Sequence, residues 1–303
     1  MVPAMLRPAI SLSLPILAAL VCAPSTGPAA VGEEADLVRA LAPPLRWDPK
    51  QGWQPAGPVP PLLVTPKPCL EILSVGAGNQ LVEDEPAEVL WQWGGEIASV
   101  RISCEYELCP LGGRSRGRAQ KILAGPLPNT GCAILTPAWV DAPGLTLRLT
   151  GYDAAGRPVA SAEKYVTLRP RQARDLRGTF IVILRDRQRL YFFQDDKLVR
   201  MHIISTAMPG YTTPRMAPGM VRGGLRMGQV FYKDAHAWSR RYKCPMPYWM
   251  AVTSTGSHGI HATVPRAYRR LGRPASHGCI RQHLHDARIL FGMVKIGTPV
   301  YIF

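Results

Sequence analysis

One cysteine and one histidine, 18 positions apart, are the residues of this sequence whose types best suit covalent chemistry. Cys279 ends the run Ser276-His277-Gly278-Cys279 and is followed by Ile280 and Arg281. His261 lies in Ser257-His258-Gly259-Ile260-His261-Ala262-Thr263. The tripeptide Ser-His-Gly therefore occurs twice, and only the second copy leads into a cysteine. A thiol with an ordinary pKa is mostly protonated near neutral pH, so it needs a base or a positive neighbourhood to attack a carbonyl. His261 is the candidate base, and His277 and Arg281 bring polar or positive character beside the sulfur. Gly278 lets a substrate approach the backbone closely, and the amides of Gly278 and Cys279 are candidate donors to an oxyanion. These residue types leave three other readings open. Cys279 is a packed core thiol, or it pairs with Cys244 in a disulfide, or His277, Cys279, His283 and His285 bind zinc or copper. The spacing His-x-Cys-x3-His-x-His is not a familiar structural zinc pattern.

The same residues resemble the signature of the YkuD-type L,D-transpeptidases. That signature is a histidine, a spacer, then Ser/Thr-His-Gly-Cys and usually Arg or Asn two places on. Here 14 residues separate His261 from Ser276, and Arg281 follows the cysteine. Met246-Pro247-Tyr248-Trp249-Met250 is similar to the family's Met-Pro-Tyr segment, and Leu271 to Ala275 to its approach to the cysteine. Asp286-Ala287 and Gly297-Thr298-Pro299-Val300 look like its closing helix and last strand. The resemblance covers about residues 178 to 303. It implies Cys279 as nucleophile and His261 as base. It further implies oxyanion or substrate contacts from Ser276, His277, Gly278, Arg281, Tyr248 and Trp249, with no metal and no cofactor. The implied substrate is a peptidoglycan tetrapeptide stem, acylated onto Cys279 and passed to an amine to give a 3→3 cross-link. Water as acceptor would make the site an L,D-carboxypeptidase, and a lipoprotein lysine would make it an anchoring enzyme. A non-catalytic wall-binding protein is the rival from another class. The family also commonly forms thioesters with carbapenems. Two stretches depart from its pattern: Ser205-Thr206-Ala207 stands where Ser-Thr-Gly is usual, and Thr213-Pro214-Arg215-Met216 lacks the following phenylalanine.

These residues need a β scaffold, and the surrounding sequence supplies one. From Phe180 to Ser205 three apolar runs are split at Arg185 to Arg189 and at Gln194 to Lys197, which predicts a β-meander. Further strands are expected near Tyr248 to Thr253 and Pro299 to Phe303. A helix is expected at Leu284 to Met293, where Ala287, Leu290, Phe291 and Val294 recur at helical spacing. Residues 171–303 thus read as a β-rich catalytic domain with one or two short helices. Residues 69–170 alternate with period two, as in Val100, Ile102 and Cys104 or Leu145, Leu147 and Leu149. Turn clusters at Gly76 to Asn79 and Asp153 to Gly156 punctuate them, so this part reads as an immunoglobulin-like β-sandwich. It contains no histidine. The chain as a whole is predicted to be mainly β.

Residues 31–68 read as a proline-rich linker, with nine prolines between 41 and 68 and with Trp47 and Trp53 as candidate docking residues. Residues 1–30 have a secretory layout: Arg7, an apolar core from Ile10 to Val21, then small residues to Ala30. Cleavage is expected between Ala23 and Ala30, with an uncleaved membrane anchor as the alternative. Val21 is too bulky for lipidation at Cys22. An exported protein of the periplasm or cell wall follows. In an oxidising compartment up to two disulfides are then expected among Cys69, Cys104, Cys109 and Cys132. The formal charge of +15 is concentrated in residues 171–303, where 22 Lys and Arg face six Asp and no Glu. All seven histidines lie there as well. Such charge attracts anionic partners. For an exported chain the anionic envelope is the candidate rather than nucleic acid. Oligomeric state is not legible.

Overall fold

The computed structural model describes residues 45–48, 52–55 and 66–303. The segment expected to be secretory, the expected cleavage site and the side chains of Trp47 and Trp53 lie outside the described residues. Within the proline-rich stretch, β1 (Leu45–Asp48) and β2 (Gly52–Pro55) pair antiparallel. A two-stranded ribbon has only edges, where proline costs no ladder bond, so Pro55 can close β2.

Eight strands follow. They are β3 (Cys69–Val75), β4 (Gln80–Val82), β5 (Ala87–Gly94), β6 (Ser99–Glu107), β7 (Arg118–Pro128), β8 (Cys132–Leu135), β9 (Gly144–Tyr152) and β10 (Pro158–Arg169). One sheet has the order β3-β5-β8 and the other β4-β10-β9-β6-β7. The alternating apolar residues of both sheets meet in one core that includes Val75, Leu81, Val100, Leu147 and Val166. The first edge switches sheets, because β3 pairs with β5 and β4 runs parallel to β10. The switch happens at Gly76, whose φ is +52° and where a Cβ would stand 2.7 Å from the Gln80 carbonyl oxygen. This is an immunoglobulin-like sandwich.

The expected disulfides are not formed: Cys69, Cys104, Cys109 and Cys132 are free thiols. Cys69 and Cys132 sit on the two strands flanking β5, opposite Gly94 and Leu90. Two strand spacings alone are about 9.5 Å, beyond disulfide reach. Cys104 is in the sandwich core, whereas Cys109 belongs to a different cluster next to Met201 and Ile203. Burial pushes the Cys109 thiol up to about 12, and its Sγ donates to the Met201 carbonyl at 3.4 Å.

The remaining strands are β11 (Phe180–Leu184), β12 (Arg189–Gln194), β13 (Lys197–Ser205), β14 (Met220–Arg222), β15 (Leu225–Asp234), β16 (Trp238–Ser239), β17 (Cys244–Pro245), β18 (Trp249–Thr253), β19 (Gly259–Ala262), β20 (Ile280–Gln282) and β21 (Val300–Ile302). Helix α1 (Leu284–Met293) follows β20. Nine strands form one sheet, ordered β14-β15-β18-β19-β20-β13-β12-β11-β21. The sheet curls until its ends meet, through bridges Gln229↔Pro299 and Met216↔Ile302. Inside the curl, Ile183, Phe192, Ile204, Met250, Ile260 and Ile280 pack with Leu290 of α1.

The outer face carries two things. Over β11 to β13 it buries Val182, Tyr191, Met201 and Ile203 with Cys109 and partly buried Trp139 of the sandwich. Further along the sheet it carries the candidate site. The sandwich is held by buried ion pairs. Asp141 accepts from Arg189 at 2.7 and 2.6 Å and from Arg116 at 2.8 Å. Glu83 takes both nitrogens of Arg187, at 2.7 and 2.5 Å. Burial pushes the Asp141 carboxyl up, but the Arg189 and Arg116 hydrogen bonds outweigh it and hold it below the usual range. Its contribution to stability is therefore present above the unfolded value, near pH 4, and is lost as pH falls through the folded one. Removing one member of such a pair strands the other charge. Asp141→Ala is expected to lower unfolding stability by about 3 kcal/mol, read from denaturant melts. A loss under about 0.5 kcal/mol, the size of an exposed pair, would mean that the pair does not hold the sandwich.

Candidate active site

Strands β19 and β20 run parallel with Ile260 opposite Ile280 and His261 opposite Arg281. Side chains alternate along a strand. Ile260 and Ile280 point into the core, so His261, Arg281 and position 279 share the outer face. Continuing the register by one residue sets Cys279 beside Gly259, two positions before His261. Diagonal neighbours on one face have Cβ atoms about 7 Å apart, a gap that an imidazole and a thiol can close.

His261 is 6% exposed. Its Nδ1 lies 2.7 Å from the Ala262 carbonyl oxygen. A carbonyl only accepts, so Nδ1 carries the hydrogen and Nε2 keeps its lone pair. Burial pushes the imidazole down to about 4, and Arg281 adds to the fall against the opposing Ala262 bond. Burial pushes the Cys279 thiol up, partly countered by the Gly259 amide and by Arg281, while Cys244 raises it further. The pair at rest is thus a neutral thiol and a neutral imidazole with a free Nε2. Cys279 and Cys244 are both free thiols, not a disulfide.

The neighbours fix this pair in place. Trp249 lies opposite position 261 on β18 and is buried, with its ring 5.6 Å from that of His261. Its indole also covers Gly259, where a Cβ would come within 2.6 Å of the ring. Tyr248, one residue earlier, lies just outside β18 with φ +57°, and its ring packs against Phe291 of α1 at 5.6 Å.

Ser276 is fully buried, and its Oγ accepts from the Gly278 amide at 3.0 Å. It shapes the turn that carries Cys279, and the Gly278 N–H is committed to it. Gly278 has φ +133°, and a Cβ there would stand 3.0 Å from the Thr212 carbonyl oxygen. His277 lies between Tyr211 and Tyr242, with ring centroids 4.4 and 4.7 Å away. Tyr242 comes from the β16–β17 hairpin. Arg281 Nη1 donates to the Ala275 carbonyl at 2.9 Å.

Sequence reasoning missed the brace under this turn. Thr213 Oγ1 donates to the Gly278 carbonyl at 2.7 Å and accepts from the Ala207 amide at 2.9 Å. Gln188 holds Thr206 through both its side-chain oxygen and nitrogen, each at 2.7 Å. The available signal was Ser205-Thr206-Ala207 and Thr213-Pro214, which stand out as motif variants rather than as supports. His258, in the first Ser-His-Gly copy, donates from Nε2 to the Thr212 carbonyl at 3.3 Å. It lies against Gly278 as part of the wall of the turn. The zinc alternative finds no support: among the described residues no three His, Cys, Asp or Glu side chains stand close enough to share a metal ion.

Residues 178–302 match the model of the family described as the YkuD L,D-transpeptidase catalytic domain. This segment is a YkuD-type L,D-transpeptidase catalytic domain. No curated protein matches the chain. Solved structures similar to it include an L,D-transpeptidase from Mycobacterium smegmatis, 17% identical, covering 77% of this chain and 99% of that one with a TM-score of 0.36. An L,D-transpeptidase from Mycobacterium tuberculosis is 16% identical, covering 77% and 97% with a TM-score of 0.35. The catalytic domain of the E. faecium L,D-transpeptidase is 25% identical, covering 43% and 99% with a TM-score of 0.34. Scores this low add nothing to the family match. Within this segment, the histidine and cysteine of the family signature lie, with Arg281, on the outer face at β19 and the start of β20.

Proposed function

We propose that the protein is a peptidoglycan L,D-transpeptidase that forms an acyl-enzyme on Cys279. The observation that carries this reading is His261 locked by Ala262 with Nε2 unprotonated, on the same sheet face as the thiol. Cys279 attacks the carbonyl of the L-centre of the third stem residue while His261 Nε2 takes the thiol proton. The Cys279 amide is the donor left to the developing oxyanion. His261 then protonates the departing D-alanine, and a thioester remains. A stem amine attacks the thioester, loses a proton to His261 and leaves as a 3→3 cross-link. No free thiolate accumulates, because burial disfavours both charged forms. Export through residues 1–30 would bring this site to the wall, and the +16 of residues 171–303 would favour the anionic envelope.

The test is purified protein with disaccharide-tetrapeptide, read by mass spectrometry. Cross-linked dimers with release of D-alanine are expected. Tripeptide without dimer would move the assignment to a carboxypeptidase, and no turnover together with no acyl-enzyme would overturn the reading. The pH profile follows from the base. With His261 depressed to about 4, its neutral form is present above that value and is lost below it. kcat/KM is expected to hold from about pH 5 upward and to fall only as pH approaches 4. An acid limb near 6.5, the ordinary histidine value, would show that His261 is not the buried base described here.

A further inference from the structure

The outer face of the five-stranded sandwich sheet has no role in the reading above, and it is concave. A groove of about 710 Å³ runs across β7, β6, β9 and β10, with every wall supplied by residues 101–165 and none by the transpeptidase domain. The strand register explains its chemistry. Thr146 of β9 stands between Tyr165 of β10 and Glu105 of β6, and Arg148 stands between Glu163 and Ser103. Charges of opposite sign alternate on this floor and are paired. Arg148 Nε donates to Glu163 at 2.7 Å, and Arg118 lies 3.6 Å from Glu105. Two aromatic rings flank the charged rows. Tyr165 is 60% exposed, and Tyr152 lies under the Arg101 guanidinium at 5.2 Å.

We infer that this groove binds an uncharged polysaccharide strand. The argument is one of charge and shape. Four cations (Arg101, Arg118, Lys121 and Arg148) face three anions (Glu105, Glu107 and Glu163) along the groove. The groove therefore has almost no net field, in a chain whose other domain carries +16. A polyanion would meet three carboxylates at close range, and a polycation would meet four cations. A neutral chain rich in hydroxyl and amide groups offers both donors and acceptors to the ion-paired side chains without stranding a charge. Its sugar rings present flat C–H faces to Tyr165 and Tyr152, which offer an apolar body with a polar tip. Four adjacent strands span about 14 Å, so the groove follows a strand of several sugars rather than a single one.

The test uses the full exported chain with its thiol intact and the hexamer of N-acetylglucosamine as probe. Binding is measured by calorimetry at low and high salt. Saturable binding that changes less than twofold between the two salt conditions is expected, because no ion pairing to ligand is involved. Tyr165→Ala and Arg148→Ala are each expected to weaken it at least tenfold. Absence of binding overturns the proposal, as does binding left unchanged by both substitutions. Tighter binding of a polyanion such as polyphosphate, lost at high salt, also overturns it. Labelling of Cys279 by a carbapenem is followed in the same samples. That labelling is expected to be unaffected by either variant, so failure of the groove and failure of the acyl-enzyme reading appear separately.

Discussion

Cys279→Ala protein is expected to form no acyl-enzyme and to make no dimer from disaccharide-tetrapeptide. The proposed reaction passes its acyl group through one sulfur, and Cys244, the other thiol near it, lacks the face-sharing imidazole. Loss of a covalent nucleophile costs on the order of 10⁶ in kcat in a well-studied hydrolase, so turnover should fall below detection. Binding of donor should survive, because the substitution removes only the sulfur and leaves the rest of the site unchanged. The measurement is intact-protein mass after exposure to a carbapenem, together with dimer yield. Full dimer formation by the alanine variant would end the assignment of the nucleophile. A labelled peptide containing Cys244 instead of Cys279 would do the same.

The second large effect is at the base. His261→Gln is expected to reduce kcat/KM by about 10²–10⁴, the usual range for a general base. The thiol is partly buried and held above its ordinary value, so without the imidazole nothing nearby takes its proton. The variant should also lose the acid limb near pH 4, and its activity should instead climb with pH as hydroxide generates thiolate. Alkylation of Cys279 by a small reagent should persist, which separates loss of the base from collapse of the turn. A variant that keeps both its rate and the acid limb would show that the imidazole is a packing residue. Trp249, which covers Gly259 and flanks His261, predicts a milder loss of the same kind, because it positions the ring without touching the reacting atoms.

Much of the fold was legible because it rests on short-range patterns. The helix expected at Leu284 to Met293 has those same bounds. The two turns expected between Phe180 and Ser205 fall between β11, β12 and β13. Alternation in Val100, Ile102 and Cys104 places all three in the sandwich core. In the site, the pattern of residue types pointed to Cys279 and His261, which share one sheet face, but it could not show how their neighbours pack. Ser276 and Gly278 looked like groups for substrate, yet they bond each other. Tyr248 looked like a substrate contact, and its ring packs against Phe291 of α1. Sequence distance hides such choices, because a hydrogen bond from Thr213 to Gly278 joins positions 65 apart.

By itself, the order of amino acids determined which side chains can react, the strand and helix periodicities that carry them, and the family signature that ties Cys279 to His261. Tertiary structure decided everything that depends on burial and on neighbours distant in the chain. It set His261 and Cys279 on one face of parallel strands, selected the imidazole tautomer through Ala262, and shifted both groups toward their neutral forms. It also kept Cys69 and Cys132 on opposite sides of β5, where no bridge can form. The physical reason is common to all of these. Local propensity is summed over a few adjacent residues, whereas desolvation, hydrogen-bond partners and thiol separation exist only once remote strands are packed together.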